Sequence, residues 1–158
     1  MIRPALPQDA PAIAEIWNRV IRETTQTFTT VEKSADDIAT RIAQGAPWWV
    51  AEADGTILGH ATYGPFRSGP GYAQTMEHSV HLTDAAKGKG LGRALMAALE
   101  DHAHAAGIHV MVAGISGGNA AGLAFHSALG YAEVGRMPEV GQKWGQRLHL
   151  VLMQKILS

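Results

Sequence analysis

Lys87-Gly88-Lys89-Gly90-Leu91-Gly92 is the stretch from which the fold of this 158-residue chain can be worked out. It stands between an alternating segment at 77–82 and a run of apolar residues at helical spacing. Glycines at the start of a helix leave backbone N–H groups free to point at one anion, and the helix dipole adds positive potential there. The loop lysines and Arg93 add positive charge. The stretch is therefore predicted to hold a phosphate or pyrophosphate, with a flexible surface turn as the alternative.

The spacing within this loop excludes the two best-known phosphate loops. No Gly-Lys-Ser/Thr follows a strand at Walker spacing. Arg93 stands where the third glycine of the dinucleotide pattern G-x-G-x-x-G would fall. The rest of the chain must therefore identify the ligand.

The composition predicts one soluble domain, residues 1–158, with a substantial core. The formal net charge is −1 and positive charge is gathered locally, so nucleic-acid binding is not indicated. There is no cysteine, which excludes disulfides, a thiol nucleophile and a zinc–thiolate site. No signal-like or membrane-length apolar run is present, so no membrane contact and a cytoplasmic location are expected.

Apolar periodicity and turn residues predict an α/β fold in the order β-α-α-β-β-β-α-β-α-β-β. The predicted elements are a strand at 2–4, a helix at 10–22 capped by Asp9, a helix from a Ser34 cap to Gly45, strands at 48–53, 56–64 and 74–83, a helix from Leu91 to Gly107, a strand at 109–115, a helix at 120–129 capped by Asn119, and strands at 131–136 and 147–154.

The strand before the glycine loop alternates between an apolar and a polar face. Met76, His78, Val80 and Leu82 take one face, and Glu77, Ser79 and His81 take the other. This pattern is typical of a central strand whose polar face forms part of a functional site.

The element order and the pattern Lys87-x-x-Gly90-x-Gly92 resemble the GNAT superfamily of N-acetyltransferases, whose loop reads Gln/Arg-x-x-Gly-x-Gly/Ala. Asn119 with Phe125-His126 and Leu129-Gly130-Tyr131 resembles the second signature of that family. The resemblance implies a mixed, mostly antiparallel twisted sheet flanked by helices. It also implies acetyl-CoA as co-substrate, with its pyrophosphate on the amides of 87–92 and Asn119 beside the pantetheine arm. Lys87 departs mildly from the usual first residue.

Nearly the whole chain resembles a narrower group, the phosphinothricin and methionine-sulfone acetyltransferases. The residues that carry this resemblance are Ile2-Arg3-Pro4-Ala5, Thr27-Phe28, Pro47-Trp48, Gly64-Pro65-Phe66-Arg67, Tyr72, Glu77-His78-Ser79-Val80, His126 and the run from Glu139 to Gly145. Such enzymes acetylate the α-amine of small amino acids, and they commonly form homodimers. Gly69 and His149 depart from the arginine and aspartate common in that group, which bears on the substrate and not on the reaction class.

Three groups are expected to carry the chemistry. Glu77 is the predicted base for the amine proton, with a solvated surface glutamate as the alternative. Ser79, Val80 and His81 are expected to offer backbone groups to the pantetheine arm, and an N–H there to bind the oxyanion. His126 stands where many relatives carry a tyrosine that protonates the leaving thiolate, and it is predicted to act as that acid. The alternative is a buried histidine bonded to a carbonyl.

Arg67 is the candidate for the substrate carboxylate, because a guanidinium binds a carboxylate through two parallel hydrogen bonds. Tyr72 and Phe28 are expected to shape the substrate pocket, with Lys143 and Trp144 as further candidates. An exposed loop role is the alternative for each of them.

A metal site is not predicted despite the eight histidines. His102 and His104 are two residues apart on a predicted helix and point about 200° from each other, so they do not converge on one ion. There is no H-E-x-x-H pattern.

The sequence thus predicts an enzyme that moves acetyl from acetyl-CoA to a small amino-acid-like amine by direct attack. Two alternatives stay open at this point: an acetyltransferase acting on a protein N-terminus or a polyamine, and a non-catalytic acyl-CoA-binding domain.

Overall fold

A computed structural model describes residues 1–158 and confirms the predicted order of elements. The elements are β1 (Ile2–Pro4), α1 (Ala10–Glu23), α2 (Ala35–Ala43), β2 (Trp48–Ala53), β3 (Thr56–Pro65), β4 (Thr75–Leu82), α3 (Leu91–Ala105), β5 (Val110–Ser116), α4 (Ala120–Ala128), β6 (Ala132–Lys143) and β7 (Gln146–Ile156).

The strands form one seven-stranded mixed sheet in the order β1-β2-β3-β4-β5-β7-β6. Only β4 and β5 run parallel, and they pair over a short stretch, from Thr75 opposite Val110 to Glu77 opposite Val112. Beyond Glu77, β4 pairs with β3 alone and β5 pairs with β7 alone. The centre of the sheet therefore opens into a gap that begins at Glu77.

Each face of the sheet carries its own apolar cluster. On one face Leu95, Met96 and Leu99 of α3 pack against strand residues that include Met111 and Ala113. On the other face apolar residues of α1, α2 and β2 form a second cluster, and α1 also packs against β3 and β4. The apolar stripe predicted for α1 supplies this second cluster through Ile13. No helix in the chain is both long and apolar enough to cross a membrane.

Of the two helix caps predicted at Ser34 and Asp9, the structure contains only the first. The Ser34 Oγ accepts a hydrogen bond from the Asp37 N–H at 3.2 Å, so the predicted cap of α2 is confirmed. Asp9 precedes α1 as predicted but does not cap it. Its carboxylate accepts instead from the Leu6 N–H at 2.7 Å and from the Arg3 guanidinium at 2.8 and 3.0 Å. The Asp9 carboxylate thus pairs with Arg3 of β1 and the Leu6 N–H and not with the first turn of α1.

The last two strands are longer than predicted. The prediction ended the first of them at residue 136, whereas β6 continues to Lys143. Pro138 and the shift in register between Met137 and Gly141 are tolerated because β6 is the edge strand, where a missing N–H costs no ladder bond. The hairpin turns at Trp144-Gly145, both with positive φ.

Candidate active site

Glu77 is the last residue of β4 that pairs with β5, so its side chain stands at the start of the gap. Its Oε2 lies against Gly114 of β5. A Cβ atom added at position 114 would be only 2.9 Å from this oxygen. Glu77 is exposed to solvent, yet partial desolvation of its carboxyl raises the pKa above its ordinary value. The carboxylate has no cation or hydrogen-bond donor beside it within the protein, so it is free to take a proton.

The glycine loop has the geometry of an anion site. Gly88 and Gly90 adopt positive φ, and α3 begins directly after Gly90 without a side-chain cap. None of the backbone N–H groups from 88 to 93 donates a hydrogen bond within the protein. Lys87 is paired with Asp84 at 3.0 Å, which leaves Lys89 and Arg93 as the free cations of the loop. The loop thus presents consecutive amides and a helix N-terminus to one point.

Gly92 has a packing role. A side chain there would come within 3.0 Å of Phe125 and 3.1 Å of Leu82. The first turn of α3 can therefore approach β4 and α4 closely only without a side chain at 92.

Ser79, Val80 and His81 lie in the part of β4 that borders the gap. They pair with Thr62, Ala61 and His60 of β3, so their other edge faces the gap without a strand partner. The His81 side chain points away from the gap: its ring packs at a tilt against Trp17, and its Nδ1 lies 3.3 Å from His60 Nε2. What this stretch offers to the gap is its backbone.

A cavity of about 560 Å³ opens where β5 ends. Its walls are residues 23–26 after α1, Ser116 with 118–121 at the start of α4, and Trp144 with Gln146 in the β6–β7 turn. Asn119 caps α4, because its Oδ1 accepts from the Gly122 N–H at 2.9 Å, and it also lines the cavity. Ser116 follows Gly114 by two residues on the same strand face, a step of about 7 Å. The Glu77 carboxylate, which lies against Gly114, is therefore about one such step from the cavity wall at Ser116.

His126 is buried and both of its ring nitrogens have protein partners. Nδ1 lies 2.8 Å from the Gly122 carbonyl oxygen, and Nε2 lies 2.9 Å from His78 Nε2. A carbonyl only accepts, so Nδ1 carries the proton and a neutral His126 accepts from His78 at Nε2. Burial lowers the pKa of His126. The arrangement matches the alternative considered for this residue, and its role as an acid stays a prediction.

Phe28, Arg67 and Tyr72 do not meet at the cavity. Arg67 and Tyr72 lie in the exposed connection between β3 and β4, with the guanidinium 5.4 Å from the centre of the tyrosine ring. No carboxylate of the protein pairs with Arg67. Phe28 packs its ring on Gly141 of β6, where any side chain would collide with it. Their contribution to substrate binding stays a prediction.

Lys143 is not available to a substrate, and the structure corrects its predicted role. Its side chain is 1% exposed, and its ammonium donates to the carbonyl oxygens of Ile21, Thr24 and Thr27. All of its N–H bonds are used inside the protein. The sequence could not show this, because the partners lie more than a hundred residues away along the chain.

The sequence did not predict Gly114 and Ser116 as site residues. The available signal was a glycine inside a buried-type strand, which marks a place where another group comes close. That group is the Glu77 carboxylate, which only the pairing of β4 with β5 identifies.

Comparisons with known proteins agree with this geometry. Residues 13–131 match the model of the acetyltransferase (GNAT) family. The chain is 44% identical to the L-methionine sulfoximine/L-methionine sulfone acetyltransferase of Pseudomonas aeruginosa, over 97% of this chain and 92% of that protein. The chain is also similar to two solved structures. One is a Salmonella typhimurium protein with its cofactor acetyl-CoA, at 40% identity and a TM-score of 0.94, covering 100% of this chain and 94% of the other. The second is a ribosomal-protein-alanine N-acetyltransferase from Brucella melitensis, at 38% identity and a TM-score of 0.93, covering 99% of each chain.

These matches confirm the resemblance that the glycine loop and the run around Asn119 indicated in the sequence. They extend over nearly the whole chain and include the gap, the loop and the cavity. The chain belongs to the GNAT family of acetyltransferases.

Proposed function

We propose that the protein transfers the acetyl group of acetyl-CoA to the α-amine of a small amino-acid-like acceptor of the methionine sulfone, methionine sulfoximine or phosphinothricin type. One observation carries the proposal. The unpaired Glu77 carboxylate stands where β4 and β5 separate, between a loop of free amides and a polar cavity. The relative from Pseudomonas aeruginosa supports the choice of acceptor.

Acetyl-CoA fits the gap from one end. Its pyrophosphate would lie on the amides of 88–93 at the N-terminus of α3, with Lys89 and Arg93 beside it. The pantetheine arm carries amide groups, which would pair with the free backbone edge of 79–81 as an added strand does. The thioester then reaches the mouth of the cavity, past Asn119.

The transfer needs no covalent enzyme intermediate. The amine gives a proton to the Glu77 carboxylate, directly or through one water, and its nitrogen forms a bond to the thioester carbon. The carbonyl oxygen takes the charge and can accept a bond from a backbone N–H of 79–81. The carbon–sulfur bond then breaks, and the thiolate takes up a proton. Because the pKa of Glu77 is raised, its carboxylate is a stronger base than an ordinary glutamate.

His126 remains the proposed acid for the thiolate, with a condition that the geometry sets. A neutral His126 that donates Nδ1–H to Gly122 has no proton on Nε2. It must therefore gain a second proton, or its ring must leave the Gly122 carbonyl, before it can act as an acid.

The cavity suits a small, polar acceptor. Its volume lies in the range of small-molecule sites, and its walls are mostly hydroxyl, amide and carboxylate side chains with one indole, that of Trp144. The N–H groups of Ala120 and Ala121 line it and donate no hydrogen bond within the protein, so they can receive an anionic or carbonyl oxygen of the ligands.

An acceptor at a protein N-terminus is the second candidate. The similarity to the ribosomal-protein-alanine N-acetyltransferase from Brucella melitensis favours it. A peptide terminus would enter the cavity with its first residue only.

A thiol-release assay with acetyl-CoA tests both candidates. The panel contains methionine sulfone, methionine sulfoximine, phosphinothricin, ordinary amino acids and a peptide that begins with alanine. We expect release of CoA with the amino-acid analogues well above that with the peptide. Release no faster than hydrolysis with every amine would overturn the proposed function, and release with the peptide alone would replace the acceptor.

Gly114→Ala tests whether the position of the Glu77 carboxylate matters. The added methyl would lie 2.9 Å from Glu77 Oε2 and 3.5 Å from Leu150, so the flexible carboxylate has to move while the strand stays. We expect kcat to fall by about tenfold or more, with little change in melting temperature. Gly135→Ala is the matched control, since a side chain at 135 meets nothing within 4 Å. Equal kcat for both variants would show that the carboxylate position does not limit the reaction.

We also propose that the enzyme is a homodimer. The edge strand β6 exposes Val134, Met137 and Val140, at 55%, 44% and 51%. A second copy of the chain would cover these apolar side chains and the free edge of the sheet. A monomeric mass in light scattering at assay concentration would contradict this.

A further inference from the structure

The ammonium group of Lys143 is the one buried cation that the proposed reaction does not use. It lies 2.7 Å from the Ile21 carbonyl oxygen, 2.6 Å from that of Thr24 and 2.9 Å from that of Thr27. The hydroxyl of Thr27 is a fourth partner at 3.2 Å. No carboxylate pairs with the group, so it is not one half of an ion pair.

Burying the charged ammonium of Lys143 costs solvation free energy, and burial therefore lowers the pKa of this residue. The three carbonyls offset that cost. Ile21 lies in the last turn of α1 and Thr24 is the residue at its end, where the helix dipole is negative. The site is therefore built for a cation, and a neutral side chain would leave three carbonyl groups without a donor.

These carbonyls belong to a segment that borders the cavity. Residues 23–26 form one wall, and Trp144 and Gln146, which follow Lys143 in the chain, form another. The Lys143 Nζ also lies 4.6 Å from the centre of the Trp144 ring. One ammonium group thus joins these two walls of the cavity.

We infer that Lys143 is a positioning residue for the acceptor amine: through its bonds to the carbonyls of Ile21, Thr24 and Thr27 it sets the distance between the two walls. The inference rests on the proposed function, because it assigns the cavity to the acceptor. It concerns only the acceptor, since the amides of 88–93 and the edge of β4 are held by other contacts.

Lys143→Met tests the inference, because methionine keeps much of the apolar stem and removes every N–H donor. We expect the KM for the amine to rise by about tenfold or more, while the KM for acetyl-CoA stays within about twofold. Hydrogen exchange of the amides from 24 to 28 is expected to become faster. Lys143→Arg is the second variant: its planar group cannot meet three carbonyls that converge on one nitrogen, so the KM for the amine should rise here too.

Asn18→Ala is the matched control. Asn18 holds the far end of the same connection, through bonds of 3.0 and 2.7 Å to the backbone of Lys33, and does not border the cavity. We expect it to lower the melting temperature and leave the KM for the amine unchanged.

Two outcomes overturn the inference in an active wild-type enzyme. One is a normal KM for the amine in both Lys143 variants, and the other is an equal rise in Asn18→Ala. If Lys143→Met does not fold, the arginine variant and the control decide alone. A wild-type enzyme that acetylates no amine is a different result, since it contradicts the proposed function itself.

Discussion

Glu77→Gln is expected to lower kcat by about 10²- to 10⁴-fold, because the amide cannot take the proton of the attacking amine. The shape of the side chain is preserved against Gly114, so the melting temperature should change little. Binding of acetyl-CoA should be unchanged, since its predicted contacts are the amides of 88–93 and the edge of β4. In the wild type, kcat/KM should fall as the pH drops through the raised pKa of Glu77, and this limb should disappear in the variant.

The control for this experiment is Glu15→Gln. Glu15 lies on the solvent face of α1, and the substitution should leave the rate unchanged. If Glu77→Gln retains more than half of the wild-type kcat, then Glu77 is not the base. If it loses activity together with binding of acetyl-CoA, then its role lies in the gap and not in proton transfer.

The folded protein is expected to lose stability steeply as the pH falls below about 6.5. Burial lowers the pKa of His78 to about 3 and that of His81 to about 4, and it lowers the pKa values of His60 and His126 as well. The folded state therefore binds fewer protons than the unfolded chain, and stability decreases as the pH falls, until the folded pKa values are reached. Between pH 6.5 and 5, His78 and His81 alone destabilise by about 3 kcal/mol, and His60 and His126 act in the same direction.

This loss is a substantial part of the whole stability of an ordinary domain, which is about 5–15 kcal/mol. Glu77 has a weak opposite effect: because its pKa is raised, its protonation at lower pH stabilises the folded state. Urea unfolding at a series of pH values between 7.5 and 4.5 measures the slope. His81→Gln should make it shallower by about 1.4 kcal/mol per pH unit, whereas the exposed His104 can be replaced by glutamine without effect. A stability that does not change between pH 7 and 5 would contradict the prediction.

Much of the fold follows from local sequence signals. The alternation in β4, the apolar stripe of α1, the Ser34 cap and the glycines after α2 and α3 all placed elements within one or two residues of their bounds. The edge strand β6 was too short in the prediction because Pro138 ends most strands. Only its place at the edge of the sheet permits a proline there.

In the candidate site too, the predictions that depend on neighbouring residues differ from those that depend on distant ones. Glu77 and the loop at 87–92 were predicted as a base and an anion site, since each depends on residues adjacent in the chain. The assignment of Lys143 to the substrate was wrong, because three carbonyls from a distant segment enclose its ammonium. One ring partner of His126, His78, also comes from another element, β4, and it occupies the Nε2 atom of His126.

By itself the sequence determined the order of the elements, the family and the place of the glycine loop, because these rest on periodicity, capping and glycine at short range. Only the tertiary structure decided where β4 and β5 separate, that Gly114 makes room for Glu77, and that Lys143 joins two walls of a cavity. Those features depend on groups far apart in the chain. Their distances exist only once the sheet has formed and its registers are set.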